Sequence, residues 1–167
     1  MKHHPVLKVL LITLALMVVS ACSTLPDNST PTTTGSFQTV TGRDLRIATG
    51  QTIYVPAYSE IFLGRQNLTI DLAVTLAIHN TDLNSPIIVQ SVRYYDTDGN
   101  VVRDYIDDPI EIPPLATSGF LVSEDESVAG WGANFVVEWV AEDPVHEPIV
   151  EAIMVSTQGT HGVSMIS

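Results

Sequence analysis

Cysteine is almost absent from this chain: Cys22 is the single one in 167 residues. No disulfide can form within the chain, so packing and hydrogen bonds alone must hold any fold together. Lysine is nearly as scarce. Lys2 and Lys8 stand at the start, and the other strong bases are Arg43, Arg46, Arg65, Arg93 and Arg103, set against nineteen acidic side chains. The formal net charge is −12. Nucleic-acid binding places cationic side chains on phosphates, so this composition argues against DNA or RNA as a partner. A bare anionic membrane surface would repel the chain for the same reason. Familiar catalytic devices are missing as well. There is no Gly-x-Ser-x-Gly elbow, no phosphate-binding Walker loop and no His-x-x-His or His-Glu-x-x-His spacing.

What is present begins with an export pattern. Lys2 and Lys8 precede an uncharged apolar run, residues 9–19. That run is shorter than the ~20 apolar residues needed to span a bilayer core. A basic start, a short apolar stretch and a small-residue exit form a secretory leader. The exit reads Val19-Ser20-Ala21-Cys22, which resembles the lipobox of bacterial lipoproteins. The resemblance implies cleavage after Ala21, removal of residues 1–21 and a diacylglyceryl thioether on Cys22. Ser23 in the next position resembles lipoproteins sent to the outer membrane of bacteria with two membranes. An ordinary signal peptide cut at the same place would instead leave a free thiol. A lone exported thiol is a chemical liability and a thioether is inert, which favours the lipid. Each buried CH2 contributes ~0.8 kcal/mol, so two or more acyl chains anchor a protein stably.

After processing, the net charge falls to about −14, because Lys2 and Lys8 leave with the leader. Residues 22–44 are rich in Ser, Thr and Pro and show no sustained apolar period. They read as a flexible tether. At coil dimensions, ~25 residues reach ~25–30 Å. Phe37 and Val40 are candidates for an outlying strand, but the domain is expected to occupy residues 45–167.

The domain reads as β throughout. Leu68, Ile70, Leu72, Val74, Leu76 and Ile78 alternate with Thr69, Asp71, Ala73, Thr75, Ala77 and His79. That period of two predicts one continuous strand with an apolar face inward. Residues 87–97 and 100–106 flank Asp98-Gly99, which predicts a hairpin with a two-residue turn and positive φ at both central positions. This register sets Tyr95 against Val102, Tyr94 against Arg103 and Arg93 against Asp104. It suggests an Arg93–Asp104 ion pair, a Tyr94–Arg103 cation–π contact and a core face of Val92, Tyr94, Val101 and Tyr105. Residues 53–58 contain Pro56, so they should form an edge or bulged strand. Residues 119–123, 135–141, 149–157 and 162–166 complete the set. Short strands separated by frequent turn signals predict a single immunoglobulin-like β-sandwich, all-β, with Trp139 filling the space between sheets.

Five segments together carry a family resemblance. They are Tyr54-Val55-Pro56-Ala57-Tyr58-Ser59, Ile78-His79-Asn80-Thr81-Asp82, Tyr94-Tyr95-Asp96-Thr97-Asp98-Gly99, Gly132-Ala133-Asn134-Phe135-Val136-Val137-Glu138-Trp139 and Glu147-Pro148-Ile149-Val150-Glu151-Ala152. The chain resembles an uncharacterised bacterial family, domain of unknown function 3124, over nearly all of residues 53–166. The resemblance implies an envelope-associated bacterial protein. It brings no activity, cofactor or catalytic residue.

Candidate sites are few. Asp96, Asp98 and Asn100 look like the start of a calcium loop. An EF-hand also needs a bidentate Glu in its twelfth position, where this chain has Asp107, and a hairpin turn explains the same residues. Glu124, Asp125 and Glu126 precede Gly130-Trp131-Gly132. The simplest reading is a solvated loop. The functional one is a mobile contact loop in which Trp131 is an aromatic anchor between two flexible glycines. His79, His146 and His161 can meet only through the fold, and no metal or cofactor is expected.

The leading function is therefore a membrane-anchored, non-catalytic binding or assembly module, with an envelope protein as partner. A divalent-cation-binding lipoprotein is the second reading, from the acidity and the Asp96–Asn100 turn. A hydrolase with an unrecognised site is the third. One consequence is chemical. If Cys22 is also N-acylated, the mature protein has no primary amine. Amine-reactive esters should leave the purified mature protein unlabelled, as read by mass spectrometry; clear labelling would exclude full acylation or cleavage at this site.

Overall fold

The computed structural model describes residues 32–35, 37–65, 68–124, 129–157 and 162–167, all within the unit Pro31–Ser167. The described residues contain no α-helix and thirteen strands. In chain order the first seven are β1 Thr32–Gly35, β2 Gln38–Thr39, β3 Thr49–Pro56, β4 Glu60–Arg65, β5 Leu68–Asp71, β6 Ala73–His79 and β7 Ile87–Tyr95. The rest are β8 Val101–Asp104, β9 Ile110–Ile112, β10 Thr117–Val122, β11 Asn134–Ala141, β12 Ile149–Ser156 and β13 Val163–Ile166. The all-β sandwich expected from the sequence is the architecture that forms. One sheet runs β1-β10-β6-β12-β13, the other β2-β9-β7-β11-β3 with β8 beside β7, and every pairing is antiparallel. β4 and β5 pair only with each other.

Inward-facing residues of both sheets meet in one core. Val74, Leu76, Ile78, Phe120 and Met154 come from the first sheet; Val89, Val92, Tyr94, Phe135, Val137 and Trp139 come from the second. Burying a side chain of this size contributes roughly 1.5–3 kcal/mol. Trp139 sits on β11, flanked by β7 and β3, and is almost wholly buried. Tyr105, just past β8, bridges the layers: its ring lies 5.7 Å from both Phe120 and Phe135, and its hydroxyl donates to the Leu121 carbonyl at 3.1 Å. Pro56 ends β3 at the margin of its sheet, where a missing N–H breaks no ladder.

Several expectations need correction. The apolar alternation from Leu68 to Ile78 is real, but the strand breaks at Leu72. Its first part joins the β4–β5 hairpin and its second part the sandwich, so Leu68 is exposed while Leu72 through Ile78 are buried on alternate positions. In the β7–β8 hairpin, Arg93 does oppose Asp104 and Tyr94 does oppose Arg103, but Tyr95 opposes Val101. Val102 is the extra residue of a bulge. The turn explains this: the Gly99 N–H donates to Asp96 O, which makes Thr97 and Asp98 the central pair, and only Gly99 takes a positive φ. The bulge turns Val101 outward, where it is half exposed. Arg93 reaches across to Glu138 on its other neighbour β11 instead of Asp104, and Arg103 lies over the Tyr105 ring at 5.6 Å rather than over Tyr94.

Strands also appear within residues 22–44. β1 pairs with β10, and β2 pairs with β9. Thr-rich segments suit pleated pairing. The chain that follows is pinned by Arg43, whose guanidinium contacts Glu111 at 3.2 Å and Glu142 at 2.7 Å, and by the Arg46 N–H, which donates to Glu142. The ordered unit therefore begins before Leu45.

The sandwich has two distinct ends. At one, the loops after β6, β9 and β11 converge on Asn80 and Asp82. The buried Asn80 amide donates to the carbonyls of Ser85, Ile112 and Pro113 at 3.0–3.1 Å, and its oxygen accepts the Asp82 N–H at 3.0 Å. Asp82 accepts N–H groups of Asn84, Ser85 and His146. These backbone donors, Asn84 first, hold its carboxyl below the ordinary value of 3.8, because they favour the charged form. A carboxyl whose folded pKa is depressed gives stability above the unfolded pKa and loses it as pH falls through the folded one. Urea midpoints should therefore drop as pH is lowered below about 3.8, and Asp82→Asn should flatten that part of the acid limb. Asn80→Ala should cost about 3 kcal/mol at neutral pH, since it orphans several buried backbone groups. A change below about 1 kcal/mol in the unfolding curve would show that the clamp contributes little.

Candidate functional site

The other end of the sandwich is built from four segments. Pro56 ends β3, and the chain leaves the sheet through Ala57, Tyr58 and Ser59. Ala57 N–H donates to Ala133 O at 2.9 Å. Ser59 is fully buried; its N–H and hydroxyl both donate to Gly130 O, and its own carbonyl accepts the Leu72 N–H at 2.8 Å. These bonds fasten the base of the β4–β5 hairpin to residues 129–133. Ile61 adds an apolar contact with the core.

Beyond that base the hairpin is apolar and uncovered. Phe62 is 47 % exposed, Leu63 49 % and Leu68 48 %. Trp131 is 53 % exposed, and its ring lies 6.0 Å from that of Phe62 at 44°. Trp131 is thus an outward-facing aromatic in contact with the hairpin, and it does not fold back into the core. Sequence reasoning singled out Trp131 and missed Phe62, Leu63 and Leu68. The signal available was Ile61-Phe62-Leu63, three consecutive apolar residues before Gly64, where a half-buried strand would alternate.

The glycines beside Trp131 lie close against Thr97. Thr97 Oγ1 donates to Ala129 O at 2.9 Å and accepts the Gly132 N–H at 3.0 Å, while Thr97 N–H also donates to Ala129 O. The turn at residues 130–132 is wrapped around Thr97. A Cβ on Gly130 would lie 2.6 Å from Thr97 Oγ1, and Gly130 has φ +82°. Close approach and left-handed backbone therefore demand glycine here.

The remaining candidates are dispersed. Glu124 is half-buried; Asp125 and Glu126 lie outside the described residues, as do Cys22 and His161. Asp96 accepts the N–H groups of Asp98 and Asn100 and the Asn100 amide. The Asn100 side chain leads the causes that hold this carboxyl below its ordinary range. Its oxygens are spent on the turn. His79, on β6, meets Thr117 Oγ1 at 2.8 Å and Glu151 at 3.5 Å, from the strands on either side. His146 lies beside Asp82 at the opposite end. Among the described residues, no three His, Cys, Asp or Glu side chains converge so as to hold a metal ion. A shallow depression at the bulge where Gln90 is skipped between β7 and β11 contains one carboxylate, Glu138, and Arg93 occupies it.

The family comparison matches residues 50–167 to the model described as protein of unknown function (DUF3124), and the chain belongs to that family. No curated protein and no solved structure matches.

The packing around Thr97 separates two glycines that share a positive φ. Gly99, at φ +84°, has open space where a Cβ would stand. Gly99→Ala should cost about 1 kcal/mol of backbone strain. Gly130→Ala should cost about 3 kcal/mol, because overpacking against Thr97 adds to the same strain. Chemical denaturation of the two variants reads the difference; equal losses would mean that the close approach is unimportant.

Proposed function

We propose that this member of the family is a lipid-anchored bacterial envelope protein acting as a non-catalytic binding or assembly module. The observation that carries the reading is Cys22, the lone cysteine, at the end of an apolar leader in the order Val19-Ser20-Ala21-Cys22. An anchor suits a domain of net charge about −14, which anionic lipid would otherwise hold off. Ser23 fits sorting to an outer membrane where the cell has two.

Support for a non-catalytic role comes from how the polar residues are used. Asp82, Glu138 and His79 are each engaged in bonds that join one segment of the fold to another, and Asp96 accepts bonds within its own turn. A reactive group needs a donor or acceptor free to meet substrate, and the three carboxylates are already bonded within the fold. The margins of the sheets, β3 and β13, offer backbone groups to which a partner's strand can add.

The test is direct. Protein purified from bacterial membranes should carry the mass of a diacylglyceryl group on Cys22, and Cys22→Ser should shift the protein to the soluble or precursor fraction. An unmodified thiol on mature protein would sink the anchor. In whole cells, crosslinking of the acylated protein should recover the same envelope protein in replicate experiments. Turnover of envelope substrates by the purified protein would overturn the non-catalytic assignment.

A further inference from the structure

The exposed apolar hairpin is at the end of the sandwich where the described chain begins. Thr32 pairs with Leu121, and Leu121 pairs with Thr75 near the start of β6. The same end holds Pro56, the β4–β5 hairpin and Trp131, because Asn134 pairs with Pro56. Cys22 precedes Thr32 by ten residues. Even fully extended, ten residues reach only about 35 Å. The chain that comes from Cys22 thus joins the domain at this end, and the Asn80 end lies at the far side of β6.

We propose that this end rests on a lipid surface, with Phe62, Leu63, Leu68 and Trp131 entering the headgroup region of the membrane that holds Cys22. The proposal rests on the acylation of Cys22 proposed above. The chemistry of the tip fits. Trp is enriched where one edge of a ring is wet and the rest is apolar. Arg65, beside Leu68 in the hairpin register, has a stem long enough to keep its charge among headgroups. The surrounding charge selects the occupant. Glu60, Asp71, Asp98 and Glu124 share this end, so a second copy would bring two acidic surfaces together. A zwitterionic bilayer carries no net charge to oppose them.

The chain has two tryptophans, and the other, Trp139, is buried. This allows Trp131 to report alone. Acylated protein is reconstituted into phosphatidylcholine vesicles whose acyl chains are either brominated or not. Bromine quenches indole only at contact range. We expect Trp131 emission to fall at least twofold in the brominated vesicles. Trp131→Phe should leave an emission from Trp139 that is equal in both. The double variant Phe62→Ser, Leu63→Ser should lose the quenching while its melting curve and its flotation with vesicles stay unchanged.

Acylated, vesicle-bound protein with the same Trp131 emission in both vesicles overturns the proposal and leaves the anchor standing. Protein whose mass lacks the lipid overturns the anchor and this proposal with it. A blue shift of Trp131 that follows protein concentration without lipid identifies a second copy as the occupant, and overturns the lipid assignment.

Discussion

With no disulfide available, the amide of Asn80 does much of what a crosslink would otherwise do. A sandwich is held well along its faces, where side chains interdigitate, and poorly at its ends, where chain reversals expose backbone polar groups. Asn80 removes that weakness at one end by satisfying carbonyls of Ser85, Ile112 and Pro113 with one side chain. Asp82 extends the arrangement to the loop after β11 through His146. β6, β9 and β11 thereby become fixed relative to one another, and both sheets are represented among them. The register of the core follows from this. Trp139 can fill the space between layers only if β11 is held against β7 at the correct height.

The opposite end is solved differently. Its reversals are braced by Thr97, Ser59 and two glycines, and the bonds run between backbone and hydroxyl groups. Such bracing carries no net charge and needs little bulk. It leaves room for an apolar hairpin that contributes only its base, through Ile61, to the core. One end of the molecule is thus a polar knot and the other an apolar projection. This asymmetry directs attention to Phe62 and Trp131 instead of to the carboxylates that dominate the composition.

Much of this could be read from the residues in order. β6 and the central parts of β7, β10, β11 and β12 are long or alternating, with mostly apolar residues on the inward face, so period and burial largely agree. Trp139 and the marginal position of the strand containing Pro56 followed from size and from a missing N–H. The hairpin register was legible up to Tyr94 and lost at Tyr95, because Asp98-Gly99 favours one turn in isolation whereas the Asp96 carboxylate enforces another through three nearby donors. β9, three residues between prolines, has no period to detect. β1 and β2 were concealed by Ser/Thr/Pro composition, and the strands they pair with, β10 and β9, lie far along the chain. The candidate site was legible only in Trp131. Its neighbours Phe62 and Leu68 come from a hairpin whose apolar residues resemble core until the fold shows them about half exposed.

The pairing of β3 with β11 has a kinetic meaning. Ile53 lies opposite Val137, 84 positions later, and β10 and β12 reach β6 across gaps that are also long. Only the pairings β4–β5, β7–β8 and β12–β13 join consecutive strands. Topologies dominated by distant pairings fold slowly, because loop entropy is lost before contacts repay it. A chain emerging from its N-terminus must therefore keep β3 single, with an open edge, until almost the whole domain has followed. During that interval β6 and β7 can pair with β10, β8 and β9 but each still lacks the neighbour that completes its sheet. The two layers therefore close over their apolar faces only when the last third of the chain arrives.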